Sequence, residues 1–251
     1  MSRTLSIIVP CYNEADNLPT LFTAFREAVG DRTDVEVVLV NNGSTDRSAS
    51  VFTEQLTLPG HVSFRVVKVA HNQGYGFGIL SGLRAAKGEF LAWTHADLQT
   101  DPRDVLTGFD RMRELPEPER TFLRGRRIGR PLFDRIFTVG MGWLASMALG
   151  SRLVDVNAQP KCFHRSFFET WSDAPHDFSL DLYALHQANL AKLAIVELPV
   201  HFGERKHGEA KGGGSLRGKI KLTRRTLSFI LALRRKLKAN RRLINKPPIV
   251  W

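Results

Sequence analysis

The amino-acid sequence predicts an α/β protein whose central sheet is mostly parallel and flanked by helices. Two observations carry that prediction. Short β-branched apolar runs alternate with amphipathic stretches along the first half of the chain. Each of the first four runs is followed by a helical stretch, the connection that a parallel sheet needs. Composition agrees: 251 residues, 43% hydrophobic and 24% charged, form one large domain or two small ones.

The elements follow in order. Leu5–Val9 reads as a buried strand closed by Pro10, and Asn17 to Val29 as a helix with Leu18, Leu21, Phe22 and Phe25 on one face. Val35–Val40 is a second strand, and Ser44-Thr45-Asp46 caps a helix through about Gln55. Phe64–Val69 is a third strand, followed by a helix from Gly78 to Ala86. Phe90–Trp93 is a fourth strand, followed by a helix from Pro102 to about Glu114. The second half is less regular. Thr121–Leu123 forms a short strand, Pro131 opens an apolar helix to about Leu149, and Phe178 to Ala191 is helical. Ala194–Val200 is a last strand, stopped by Pro199 and polar residues. Lys211-Gly-Gly-Gly-Ser215 is a flexible joint before a basic amphipathic helix, about Leu216 to Asn240.

Charge separates two domains, residues 1–210 and 211–251. The first carries 23 Lys and Arg against 25 acids, whereas the second carries 13 Lys and Arg and no acid. The net charge of +11 therefore belongs to the tail, which suits an anionic surface. Its apolar stretch, Thr226 to Leu233, is far shorter than the ~20 residues of a membrane-spanning helix. A peripheral anchor on the inner, cytosolic face of a membrane is expected, with no transmembrane helix. The alternative is that Leu227–Leu233 packs on the body or on a second subunit, so a homo-oligomer stays open. Nucleic acid is disfavoured, because Phe229 and Trp251 are the tail's only aromatic residues for stacking. The two cysteines, Cys11 and Cys162, exclude a disulfide scaffold or a cysteine zinc cluster and suit a reducing compartment.

In parallel α/β sheets ligands sit at the carboxyl ends of the strands. Four such ends here are polar: Val9 to Glu14, Asn41 to Asp46, His71 to Gly76 and Thr94 to Gln99. Taken singly they are weak signals. Asn-Gly-Ser-Thr-Asp is a turn plus helix cap, and Gly74, Gly76 and Gly78 could merely let a helix approach the sheet. The first strand–helix turn, Cys-Tyr-Asn-Glu, lacks the glycine fingerprint of a dinucleotide fold.

Together, IVPCYNE, VLVNNGSTD, HNQGYGFGILSGLRAAKGEF and HADLQTDP resemble the family 2 glycosyltransferases, in their order and spacing. The later segments GRR at Gly125–Arg127, DVNAQPK at Asp155–Lys161 and ELPVHFGERKHGEAK at Glu197–Lys211 resemble the polyprenyl-phosphate sugar synthase branch. The resemblance implies the GT-A nucleotide-diphospho-sugar transferase fold. It also implies an inverting transfer of a sugar from a nucleotide-sugar donor to a polyprenyl phosphate, or to a lipid-linked or envelope saccharide. A catalytically inactive fold that binds a membrane or partner is the alternative.

The resemblance also implies site residues. Pro10, Tyr12, Asn13 and Glu14 would meet the donor nucleotide, with Asn41, Asn42, Asn72 and Gly74 from the next two strand ends. Lys161, Arg205 and Lys211 would close on its diphosphate. The family's metal motif, Asp-x-Asp, stands here as His95-Ala-Asp97-Leu-Gln99. Asp97 would hold a divalent cation, Mn²⁺ or Mg²⁺, with Gln99 and His95 beside it. A histidine ligates Mn²⁺ but suits Mg²⁺ poorly. Asn41 and Asn42 replace two acids near the base, so uridine, guanosine and thymidine donors stay open and cytidine gains ground. Arg127 and Arg135 would hold an acceptor phosphate. If the acceptor is a hydroxyl, Asp181 is the first candidate for its general base, with Asp155 and Glu209 after it.

Overall fold

The computed structural model describes residues 4–129, 155–203 and 228. The chain divides into two compact units. One takes residues 1–131 and 155–208; the other, residues 132–154 and 209–251, lies outside the described residues save for Ser228. The apolar helix from Pro131, the joint and the basic helix therefore fall outside what is described, as do Arg130, Arg135, Arg205, Glu209 and Lys211.

The first unit is built on one seven-stranded sheet in the order β3-β2-β1-β4-β6-β5-β7. The strands are β1 Leu5–Cys11, β2 Val35–Asn42, β3 Ser63–Val69, β4 Phe90–Trp93, β5 Thr121–Ile128, β6 Lys161–His164 and β7 Ala194–His201. Every pairing is parallel except those of β6, which runs antiparallel to both β4 and β5. The mostly parallel sheet of the sequence prediction is thus observed.

Side chains alternate across this sheet, and the helices sort accordingly. Leu5, Ile7 and Val9 of β1 share one core with Leu21, Phe22 and Phe25 of α1, Leu18–Val29, and with Val105 and Phe109 of α4, Pro102–Arg113. On the other face Ile8 and Val40 meet α3, Tyr75–Ala85, where Gly82 leaves room for their methyl groups. Asp101 caps α4 by accepting from the Arg103 N–H, and Pro102 fills the first turn. Behind β4 and β6, Trp93, Phe163, Phe167, Trp171 and Tyr183 pack edge-on and tilted into an aromatic wall. This wall supports α5, Arg165–Glu169, and α6, Leu180–Leu190.

Several boundaries differ from the sequence reading. Pro10 does not close β1, because β4 ends at Trp93 opposite Ile8 and leaves Pro10 no neighbour on that side. Pro199 likewise lies inside β7, which among the described residues is an edge strand paired only with β5. The second helix, α2, spans Ser48–Thr57. Its Ncap residue, Arg47, supplies no capping bond; Asp46 instead accepts from the Ser48 N–H with one oxygen and from the Ala15 N–H with the other. β5 runs to Ile128, which places Arg124, Arg126 and Arg127 on a strand. β6 and α5 had no counterpart in the sequence reading.

Candidate functional site

The carboxyl ends of β1, β2 and β3 are stitched into one rim. Asn13 donates its backbone N–H to Ser44 Oγ at 3.0 Å and accepts from the Thr45 N–H at 2.8 Å. Glu14 donates its N–H to Ser48 Oγ at 3.1 Å. Asn41 accepts from the Ser44 N–H, and Asn42 donates its amide to the Gly74 carbonyl at 3.0 Å. Asn72 accepts from the Gly74 N–H at 2.9 Å. Asn13, Glu14, Asn41, Asn42, Asn72 and Gly74, six of the residues expected at the nucleotide, thus meet along one edge.

Two of them are committed to the scaffold. Asn42 is buried against Gly78, and a carboxylate in its place would face the Gly74 carbonyl that its amide now serves. Gly74 and Gly76 form a notch for the loop before α6. A Cβ on Gly74, whose φ is +112°, would stand 2.3 Å from the His176 carbonyl oxygen; one on Gly76 would stand 2.5 Å from that of Pro175. The Phe77 N–H at the start of α3 donates to the His176 carbonyl at 3.0 Å. This end of α3 is therefore occupied by protein backbone.

The metal motif follows β4. Asp97 accepts from the Gln99 N–H at 3.2 Å, and Thr94 and Thr100 bridge the loop through their hydroxyls at 3.2 Å. Gln99 donates its side-chain amide to the Gly203 carbonyl at 3.2 Å, while the Gly203 N–H returns a bond to the Gln99 carbonyl. That exchange brings the chain beyond β7 to the motif. His95 is half-buried and stacks on Tyr75 at 5.7 Å, and Tyr75 stacks on Phe178 at 4.8 Å. Burial holds the His95 imidazole below the usual histidine range, against the pull of Asp97 and Asp181. Lys161 and Arg127, both close enough to act on His95, push the same way as burial.

Arg127 is clamped. Its guanidinium and backbone N–H both donate to the Asp155 carboxylate, and its head lies 5.4 Å from the Phe202 ring centre. Arg124 and Arg126 share Glu197 of β7. Lys161 and Asp181 pair with each other in the interior, at 0% and 3% side-chain exposure. Lys161 also donates to the Ala158 carbonyl and sits 5.4 Å from the Trp93 ring centre. The expectations that Lys161 lies on a donor diphosphate and that Asp181 takes a proton from an acceptor meet this geometry poorly. Each is sealed from solvent against the other, and breaking a buried pair costs about 3–5 kcal/mol.

Tyr75, Gln159, Trp93 and Phe178 were not singled out by the sequence reading. Tyr75 and Gln159 do lie inside the quoted motifs HNQGYGFG and DVNAQPK. Among the described residues, no cluster of three His, Cys, Asp or Glu side chains forms a metal cage. One carboxylate does fit a cation held chiefly by the oxygens of a bound diphosphate. Cys11 and Cys162 are both buried, as thiols rather than as a disulfide.

Comparison with known proteins finds similar sequences and similar folds. Residues 6–117 match the family model Glycosyl transferase family 2. The undecaprenyl-phosphate 4-deoxy-4-formamido-L-arabinose transferase of Edwardsiella ictaluri is 30% identical over 224 residues, covering 83% of this chain and 63% of the relative. That of Enterobacter sp. (strain 638) is 30% identical over 223 residues, covering 82% and 62%. The chain thus spans about three fifths of the length of these curated relatives. Among solved structures, glucosyl-3-phosphoglycerate synthase from Mycobacterium tuberculosis, in complex with Mn²⁺, UDP and glucosyl-3-phosphoglycerate, superposes with a TM-score of 0.68 at 19% identity. It covers 92% of this chain and 80% of that one. The mannosyltransferase PcManGT from Pyrobaculum calidifontis, in complex with GDP-Man and Mn²⁺, superposes with a TM-score of 0.60 at 21% identity, covering 82% and 58%. The fold is GT-A.

Proposed function

We propose that this chain, whose residues 6–117 match the Glycosyl transferase family 2 model, transfers a sugar from a nucleotide-sugar donor to a polyprenyl phosphate at a membrane face. The relatives named for undecaprenyl-phosphate transfer support the acceptor class. So does one observation on the site itself. Of the candidate bases, Asp181 is ion-paired in the interior with Lys161, and Asp155 is held by Arg127. Asp97 belongs to the metal motif, and Glu209 lies outside the described residues. A phosphate oxygen is already anionic and attacks the anomeric carbon without giving up a proton, whereas a sugar hydroxyl would need one of these groups.

In this reading the rim from β1, β2 and β3 orients the nucleoside, and Asp97 would hold a divalent cation, which when bound would offset the negative charge that grows on the leaving β-phosphate. His95 stands beside it as a neutral, stacked ring. Arg127, oriented by Asp155, offers its charge to the acceptor phosphate, joined by Arg135. Arg205 and Lys211 follow the strand end that Gln99 and Gly203 bring to the motif and would close on the donor phosphates. A single in-line displacement inverts the anomeric centre.

The test is transfer of labelled sugar to a polyprenyl phosphate. UDP-, GDP-, CDP- and TDP-sugars are supplied in turn with Mn²⁺, and the lipid product is identified by mass spectrometry. A glycosyl lipid phosphate from one donor class is the expected result. No transfer and no donor hydrolysis with any of them would favour the inactive, membrane-binding alternative.

A further inference from the structure

Asp181 occupies a place that neither proton transfer nor simple packing explains. A single carboxylate oxygen, Oδ1, accepts from three donors on separate parts of the fold. They are Lys161 Nζ at the start of β6, Gln159 Nε2 at 3.1 Å in the preceding loop, and Trp93 Nε1 at 3.3 Å at the end of β4. Asp181 itself stands in the first turn of α6 and is 2% exposed. Gln159 passes the connection on. The same Nε2 also donates to the Tyr75 hydroxyl at 3.3 Å, while its Oε1 is buried with no partner among the described residues. Among those residues, Asp181 is therefore one of two acceptors that fix the Gln159 side chain. Tyr75 in turn lays its ring on His95 of the metal motif.

We infer that Asp181 is a positioning residue: it sets the metal-motif loop through Gln159, Tyr75 and His95, and it neutralises Lys161 beneath them. Its catalytic consequence rests on the glycosyltransferase reading; its structural consequence does not. Its Oδ1 is already engaged by an ammonium, an amide and an indole, and the residue is 2% exposed. Loss of its charge would strand the Lys161 ammonium in the interior. An asparagine there still accepts from Gln159 and Trp93, so a companion Lys161→Met change removes the stranded charge and keeps the rest of the network.

The experiment compares wild type, Asp181→Asn and Lys161→Met/Asp181→Asn in the full chain. Hydrogen exchange of peptides covering residues 72–77 and 94–99 is measured without ligand. Binding of UDP, GDP, CDP and TDP is then measured with Mn²⁺. Positioning predicts that Asp181→Asn raises exchange in both segments severalfold and weakens nucleotide binding at least tenfold. The double variant should return both most of the way to wild type. Wild-type exchange and affinity in Asp181→Asn, with sugar transfer lost and not recovered in the double variant, would show a general base and overturn the inference. A drop in thermal midpoint with no change in either segment would show packing alone, and would overturn it too. Should Asp181→Asn fail to fold, the double variant decides: wild-type exchange supports the inference and raised exchange sinks it. If wild type binds none of the nucleotides, the glycosyltransferase reading fails while the exchange comparison still decides the role of Asp181.

Discussion

Two acids illustrate how position sets what a carboxylate does. Asp97 is the only carboxylate in the motif after β4, since His95 stands where a second would be. Asp97→Asn keeps the size and the acceptor for the Gln99 N–H but removes the charge. Metal-dependent donor binding should fall by roughly 100-fold, the scale of losing one electrostatic partner of a developing charge. Titration of Mn²⁺ and nucleotide into the variant measures this, and wild-type affinity would place the cation elsewhere. Asp104 sits half-buried in the first turn of α4. Burial, then the Asp101 carboxylate, push its pKa up to about 6. The folded state therefore binds this proton more tightly than the unfolded chain, whose aspartates titrate near ~4. The carboxylate costs nothing below pH ~4, and its cost grows as pH rises through about 6. Asp104→Asn should stabilise the protein by about 1 kcal/mol at pH 7, a value reduced for the partial exposure, and by nothing near pH 4. Denaturant midpoints at the two pH values check it; equal gains at both would contradict the burial account.

At the scale of elements, the notch in α3 makes the sharpest demand. A Cβ on Gly76 would lie 2.5 Å from the Pro175 carbonyl oxygen and 2.7 Å from that of Asp177. Backbone cannot step aside as a side-chain end can. Gly76→Ala should therefore cost about 1–3 kcal/mol and displace the loop that leads into α6. Gly108→Ala in α4 meets a Leu123 methyl at 2.8 Å and should cost less. Thermal midpoints of the two variants decide, and equal losses would deny the notch its role. The sequence showed these glycines but not their partner, because residues 175–177 lie a hundred positions away in the chain. The same limit governed the rest. β1 to β4 and their helices were legible because buried parallel strands and amphipathic helices leave periodic patterns. β6, only four residues long, was not, nor was its antiparallel direction, which pairing alone reveals. That several strand-end residues lie along one edge was legible because parallel topology gathers them. Lys161 and Asp181 stood out in the sequence, but not as partners of each other, since 20 residues separate them and nothing local marks the contact.

The whole molecule pairs a near-neutral body with a basic tail, and that asymmetry governs where the reaction would occur. No helix among the described residues is long and apolar enough to cross a membrane. A prenyl phosphate is confined to the bilayer, so an enzyme that uses it must be held at that surface. The tail has the composition for it. Arg217, Lys219, Lys221, Arg224, Arg225, Arg234, Arg235, Lys236 and Lys238 alternate with Ile220, Leu227, Phe229, Ile230, Leu231 and Leu233. Each basic residue near an anionic leaflet contributes about 1 kcal/mol, so even half of them would give firm binding that salt weakens. Removing residues 215–251 should release the protein from vesicles of anionic phospholipid at low salt. Nucleotide binding by the body should change little, and transfer to a lipid acceptor should fall with the lost surface concentration. The full chain should leave the same vesicles as salt rises, because screening weakens attraction between exposed charges. If the shortened chain co-sediments as well as the full one, the anchor lies elsewhere. If the full chain never binds, the stretch Leu227–Leu233 is better assigned to packing on the body or on a second copy, which sedimentation velocity would then reveal as a dimer.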